Sequence, residues 1–138
     1  MADVVSSIRT YLLGRSAVTD VLSQRIYLDV LKQSATLPAA TISKVSETHS
    51  HLISDRSGFV QTRLQIECFA LQRLVANSLA EAIYKSGVAA IKGVTNGVNI
   101  RGVTVDDGQR NYIVQDADGG DDHTYVTQFD LMVSYLES

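Results

Sequence analysis

The residues of this chain whose types suit chemistry are three histidines, a single cysteine and an aspartate-rich stretch. His49 and His51 stand two apart, so on an extended strand they would share a face, a spacing some metal sites use. Zinc sites of this kind need three or four protein ligands, and only His123 remains to offer another imidazole. The expectation is therefore two polar loop residues and no metal. Asp116-Ala-Asp-Gly-Gly-Asp-Asp122 is rich in carboxylates, yet it lacks the alternating ligand register and terminal bidentate Glu of an EF-hand loop. It reads as a solvated acidic loop. Cys68 falls on the apolar side of an alternating segment, which suits a buried structural thiol better than a nucleophile. No Gly-x-Ser-x-Gly elbow presents a serine. Gly93, Gly97 and Gly102 form no phosphate-cradling fingerprint, and no Walker-type lysine is present. These residues assemble no catalytic constellation and no cofactor site, so a non-enzyme is expected.

The elements around these residues point to one domain spanning residues 1–138. That length buries roughly 68% of the unfolded surface, enough for a core without disulfides or metal. A composition of 45% hydrophobic and 20% charged residues excludes wholesale disorder. The net charge of −3 argues against nucleic-acid binding through a broadly basic surface. No apolar run approaches the roughly 20 residues of a membrane span, and the first residues do not read as a signal peptide. A lone cysteine fits folding in a reducing compartment, so the reading is a soluble protein made in the cytoplasm.

Val4, Val5, Ile8, Tyr11 and Leu12 recur at helical spacing, and Gly14 is placed to end that helix. Ser16 to Ser23 reads as a short second helical turn, and Arg25 to Leu31 as a short extended segment. Pro38 suits the start of a strand over Ala39 to Glu47. The clearest signal follows: Val60, Thr62, Leu64, Ile66 and Cys68 alternate with Gln61, Arg63, Gln65 and Glu67, giving a strand with one buried and one wet face. Thr48 to Ser57 reads as a projecting loop between these two strands. Leu71, Leu74, Val75, Leu79, Ala82 and Ile83 form a helical apolar stripe, with Glu81 and Lys85 paired on the other side. Two further strands are expected, near Val98 to Asp106 and His123 to Leu136, joined by an acidic loop from Asp107 to Asp122 in which Tyr112 to Val114 could pair locally. The order helix, two strands, long helix, two strands predicts an α+β fold: a mainly antiparallel four-stranded sheet with helices packed on one face. Leu64, Ile66, Leu79, Ile83, Phe129 and Leu131 are the expected core.

The segment His51-Leu-Ile-Ser-Asp-Arg-Ser-Gly-Phe-Val-Gln-Thr-Arg-Leu-Gln-Ile-Glu-Cys-Phe-Ala70 resembles the central signature of the phage tail-completion, or tail-terminator, family. There a loop ending in Ser-Gly leads into a strand of the type Arg-x-Gln-Ile-Asp-Cys-Trp-Ala, followed directly by a long helix. Arg25-Ile-Tyr27, Leu37-Pro-Ala-Ala40, Gly102-Val-Thr-Val-Asp-Asp107 and the closing Tyr135-Leu136-Glu137 resemble that family's flanking elements, so the likeness runs from about residue 5 to 137. Phe69 stands where Trp is commoner, and the connection from Asp107 to Asp122 is more elaborate.

The resemblance implies a structural virion protein of long-tailed phages or phage-derived gene transfer agents, located at the head–tail junction. It implies a hexameric ring that caps the head-proximal end of the tail tube, stops tube polymerisation and docks head–tail connector proteins, while DNA passes through the lumen without specific binding. His49, His51, Asp55, Arg56, Gln61, Arg63, Gln65 and Glu67, on the wet strand face and projecting loop, are the expected subunit or tube interface. Other readings are a head–tail connector component, a minor tail protein, or a small ligand-binding or enzymatic α+β domain.

Overall fold

The computed structural model describes residues 4–22, 24–31, 36–49, 59–87, 93–95, 98–115 and 123–136. Helix α1 (Val4–Leu13) buries Val4, Val5, Ile8 and Leu12 at the spacing that puts one stripe inward. The chain turns at Gly14, whose N–H bonds to the Tyr11 carbonyl at 3.0 Å, and enters α2 (Ser16–Leu22), which buries Val18 and Leu22. Strands β1 (Ile26–Leu28), β2 (Ala39–His49) and β3 (Phe59–Ala70) follow. Helix α3 (Arg73–Ala82) continues as a π-helical turn over Ile83–Gly87. Strands β4 (Gly93–Thr95), β5 (Val98–Gln115) and β6 (His123–Leu136) complete the fold.

The strands form one six-stranded sheet in the order β1-β2-β3-β6-β5-β4. β1 runs parallel to β2, and every other neighbouring pair is antiparallel. Two rungs show how register sorts the side chains: Ile42 lies opposite Ile66 and Ile66 opposite Phe129, while Lys44, Leu64, Leu131 and Val105 share the next level on the same face. Because side chains alternate, that register sends Ala40, Ile42, Leu64, Ile66, Cys68, Phe129, Leu131 and Val133 to one side. There they join the apolar stripes of the three helices in a single buried cluster. Two arginines brace the strand entries from the side: Arg9 Nε donates to the Ile26 carbonyl at 2.6 Å, and Arg25 Nε to the Pro38 carbonyl at 2.9 Å.

The six expected core residues are all buried. The sheet differs from the expected four strands, because β1 and β4 extend it at its two edges. Each has three residues, too few for an alternation to register. The expected loop from Asp107 is also corrected, since β5 runs on to Gln115. An irregularity between Asp106, opposite Asp130, and Arg110 absorbs the Asp107-Gly-Gln109 run, after which pairing with β6 resumes from Arg110 opposite Gln128. Residues 116–122 lie outside the described residues. Leu71 and Leu74 do not belong to the buried stripe; they are 64% and 77% exposed, and α3 packs through Ala76, Leu79 and Ala80 instead. Leu71 precedes the first helical residue, so helical spacing does not apply to it.

Leu64→Ala should lower the free energy of unfolding by about 2–5 kcal/mol and Phe129→Ala by about 3–5 kcal/mol. Leu74→Ala should change it by less than about 0.5 kcal/mol. Denaturant midpoints at unchanged slope would measure all three, and a Leu74→Ala loss equal to that of Leu64→Ala would overturn the packing assigned to α3.

Candidate assembly surface

The helices cover one face of the sheet and leave the other without a helical layer among the described residues. On that open face stand Gln61, Arg63, Gln65 and Glu67 of β3, with Gln128, Asp130 and Ser134 of β6 beside them. Gln61 is exposed and the other six are half-buried. Arg63 Nη1 donates to Asp130 Oδ2 at 3.1 Å, a diagonal contact between neighbouring strands. Arg110 Nη2 of β5 lies 3.8 Å from the second oxygen, Oδ1, close enough for attraction and too far for a hydrogen bond. That oxygen is buried and accepts no hydrogen bond among the described residues. Further along the face, Tyr112 donates its hydroxyl proton to Glu67 across the intervening β6. Burial, then the Glu67 carboxylate, push the Tyr112 phenol above its ordinary range, so it remains a donor.

A second polar cluster lies on the helical face. The Thr127 hydroxyl is 2.8 Å from both Asn77 Oδ1 of α3 and Asn111 Oδ1 of β5. A hydroxyl has one proton, so it donates to one carboxamide oxygen, and the other amide must turn its NH2 towards it. This bridge ties α3 to both strands beneath it. At the upper end of the same face, Glu47 Oε1 accepts from Tyr135 at 2.8 Å and from Thr62 at 3.2 Å.

Of the expected interface residues, Gln61, Arg63, Gln65 and Glu67 do share the open face. His49 is the last residue of β2, opposite Val60, while His51, Asp55 and Arg56 lie outside the described residues. His123 opens β6, and its rung is about 40 Å along that strand from Tyr135, which lies level with His49. The backbones of His49 and His123 therefore stand at opposite ends of the sheet, too far apart to share one ion. Among the described residues no group of three or more His, Cys, Asp or Glu is placed to hold a metal. Cys68 is fully buried, and burial together with the neighbouring Glu67 charge pushes its thiol well above the ordinary range. A cleft of about 210 Å³ between α3 and the β5–β6 hairpin is lined, among the described residues, by Arg73, Asn111, Tyr112, Ile113, Tyr125 and Val126, none of which carries a carboxylate or an imidazole. Asp130, Arg110 and Tyr112 are additions to the expected set. The alternation of the last strand marks Asp130 as wet, but only the pairing of β3 with β6 reveals its partner.

No protein-family model matches the chain, and no curated protein sequence matches it. Among solved structures, the chain is similar in fold to a chain of the virion of a native gene transfer agent particle, with a TM-score of 0.63 and 14% identity. The likeness covers 94% of this chain and 92% of that one, so it extends to the whole architecture rather than one motif. No helix among the described residues is long and apolar enough to cross a membrane.

Two measurements probe this surface. Arg63→Ala removes the donor at Asp130 Oδ2 and should cost about 1–3 kcal/mol, and the Arg63→Ala/Asp130→Ala double variant should lose less than the sum of the single losses. A thiol reagent at neutral pH should modify Cys68 only as fast as the protein opens; rapid labelling of the folded protein would contradict its burial.

Proposed function

We propose that this protein is a structural component of a phage-type virion, and within it the tail terminator: a ring that caps the head-proximal end of the tail tube. The observation that carries this reading is the fold likeness to a chain of a gene transfer agent virion over nearly the full length of both chains. The tail-completion signature across residues 51–70 supports the finer role. The chemistry agrees, since the described residues hold an open polar sheet face and no converged acid, base and nucleophile.

Halting a growing tube needs a ring with two different ends. One end matches the last tube ring; the other refuses a further tube subunit and accepts the head connector. Subunits related by rotation meet through two different patches, and the ring closes when the rotation completes a circle. The partners are then other copies of the chain, the tube protein and the connector, and no cofactor or catalytic residue is called for. A net charge of −3 suits a conduit through which DNA moves, because carboxylates repel phosphate and do not hold it.

Particles assembled without this protein should carry overlong tails or tails without heads, as seen by electron microscopy. Purified protein should add to the ends of tail tubes that lack a terminator. Binding to the head portal alone would favour a connector, and normal tail length and joining in its absence would sink the proposal. His49→Ala/His51→Ala protein should contain no less zinc than the wild type by elemental analysis.

A further inference from the structure

The two side edges of the sheet carry short strands at opposite ends. Taking the end where β2 finishes and β5 begins as the top, β1 pairs only with residues 40–42 at the bottom of β2. On the far side β4 pairs only with residues 98–100 at the top of β5, and among the described residues no further strand pairs with the outer side of β5 from Arg101 to Gln115. The level shared by Lys44, Leu64, Leu131 and Val105 fixes the heights: β1 stands below it and β4 above it. The notch beneath β4 lies at the height of β1 on the other edge, while β4, with Gly93 level with His49, stands at and above the last described residue of β2.

The exposed apolar residues lie on these same edges. Val105, Tyr112, Ile113 and Val114 line the notch of β5; Leu28 and Val30 stand on or just after β1, and Val45 on β2. Among the described residues only Leu71 and Leu74, at the start of α3, add to this set of exposed large apolar side chains. Unpaired strand backbone with apolar side chains is a template for strand addition, and an edge of this length is usually covered in the working assembly. Strand direction selects the occupant. β1 is parallel to β2, and three antiparallel steps separate β2 from β5, so β1 runs opposite to β5. Rotation about an axis along the strands keeps that relation between copies, and the new ladder is antiparallel, the slightly more stable kind.

We propose that copies of this chain join side by side at these edges, with β1 of one copy adding to β5 of the next beneath β4. A single sheet then passes from copy to copy. The joint uses different patches on its two sides and therefore belongs to a ring or a filament rather than a two-fold dimer. It rests on the ring reading above and names the surfaces that make the ring.

Cysteine cross-linking of the full chain tests it. Within one copy β1 and β5 are four strand spacings apart, about 19 Å, whereas a disulfide bridges Cα atoms up to about 7 Å apart. A bond between them must join two copies. Leu28→Cys combined in turn with Val105→Cys, Arg110→Cys or Tyr112→Cys should, in at least one pairing, give covalent multimers up to the size of the ring on oxidation. The single variants should stay monomeric on a non-reducing gel. Leu28→Lys and Ile113→Lys, both at exposed positions, should keep the melting temperature and reduce the ring fraction at least tenfold. Rings that persist with both lysines and cross-link in none of the pairings would overturn the joint while leaving the ring reading intact. Wild-type protein that stays monomeric alone and on tail tubes would remove both.

Discussion

The pairing of β3 with β6, unbroken from Phe59 opposite Leu136 to Ala70 opposite Tyr125, is the constraint on which the rest of the molecule depends. A slip of one residue there would turn Leu64, Ile66, Phe129 and Leu131 out of the core and Arg63, Gln65 and Asp130 into it. The penalty for burying those polar groups without partners makes the register nearly obligatory. Helix α3 follows directly from β3 and packs on β3 and β6, so the same pairing also sets where the helical layer sits.

With the core committed to one face, charge is left to the other. Asp130 sits between Arg63 and Arg110 on three adjacent strands, and Tyr112 reaches Glu67 across β6. These contacts tie β5 to the centre of the sheet where the irregularity between Asp106 and Arg110 breaks its regular pairing. They also leave that face polar without gathering an acid, a base and a nucleophile at one point among the described residues. A polar face of this kind suits the assembly surface that the proposed virion role calls for. Cys68 lies in the core, where its protonated form is the stable one.

The two sides of the sheet carry a different message from its faces. Most large apolar side chains left exposed among the described residues lie along β1, β2 and β5, and a soluble monomer gains nothing from keeping them there. Unequal edges suit head-to-tail association. A ring closed that way presents unlike ends, as the proposed cap between a tube and a head requires.

The sequence by itself determined the elements whose pattern is local and long enough to repeat. The helical spacing of Val4, Val5, Ile8 and Leu12 and the alternation through β3 and β6 named the core and the α+β class. They also placed Gln61, Arg63, Gln65 and Glu67 on one wet face. Tertiary structure alone decided the rest. β1 and β4 are three residues each, so pairing with a longer neighbour, rather than any period of their own, makes them strands. The far half of β5 is written in aspartate, glycine and glutamine at its start, and it is extended because β6 is there to bond with it. Leu74 has helical spacing yet faces water, since burial depends on whether a partner surface exists at that height. Arg63 and Asp130 are 67 residues apart in the chain, and Glu67 and Tyr112 are 45 apart. Contacts at that separation leave no local period to read, because sheet register, not sequence distance, brings them together.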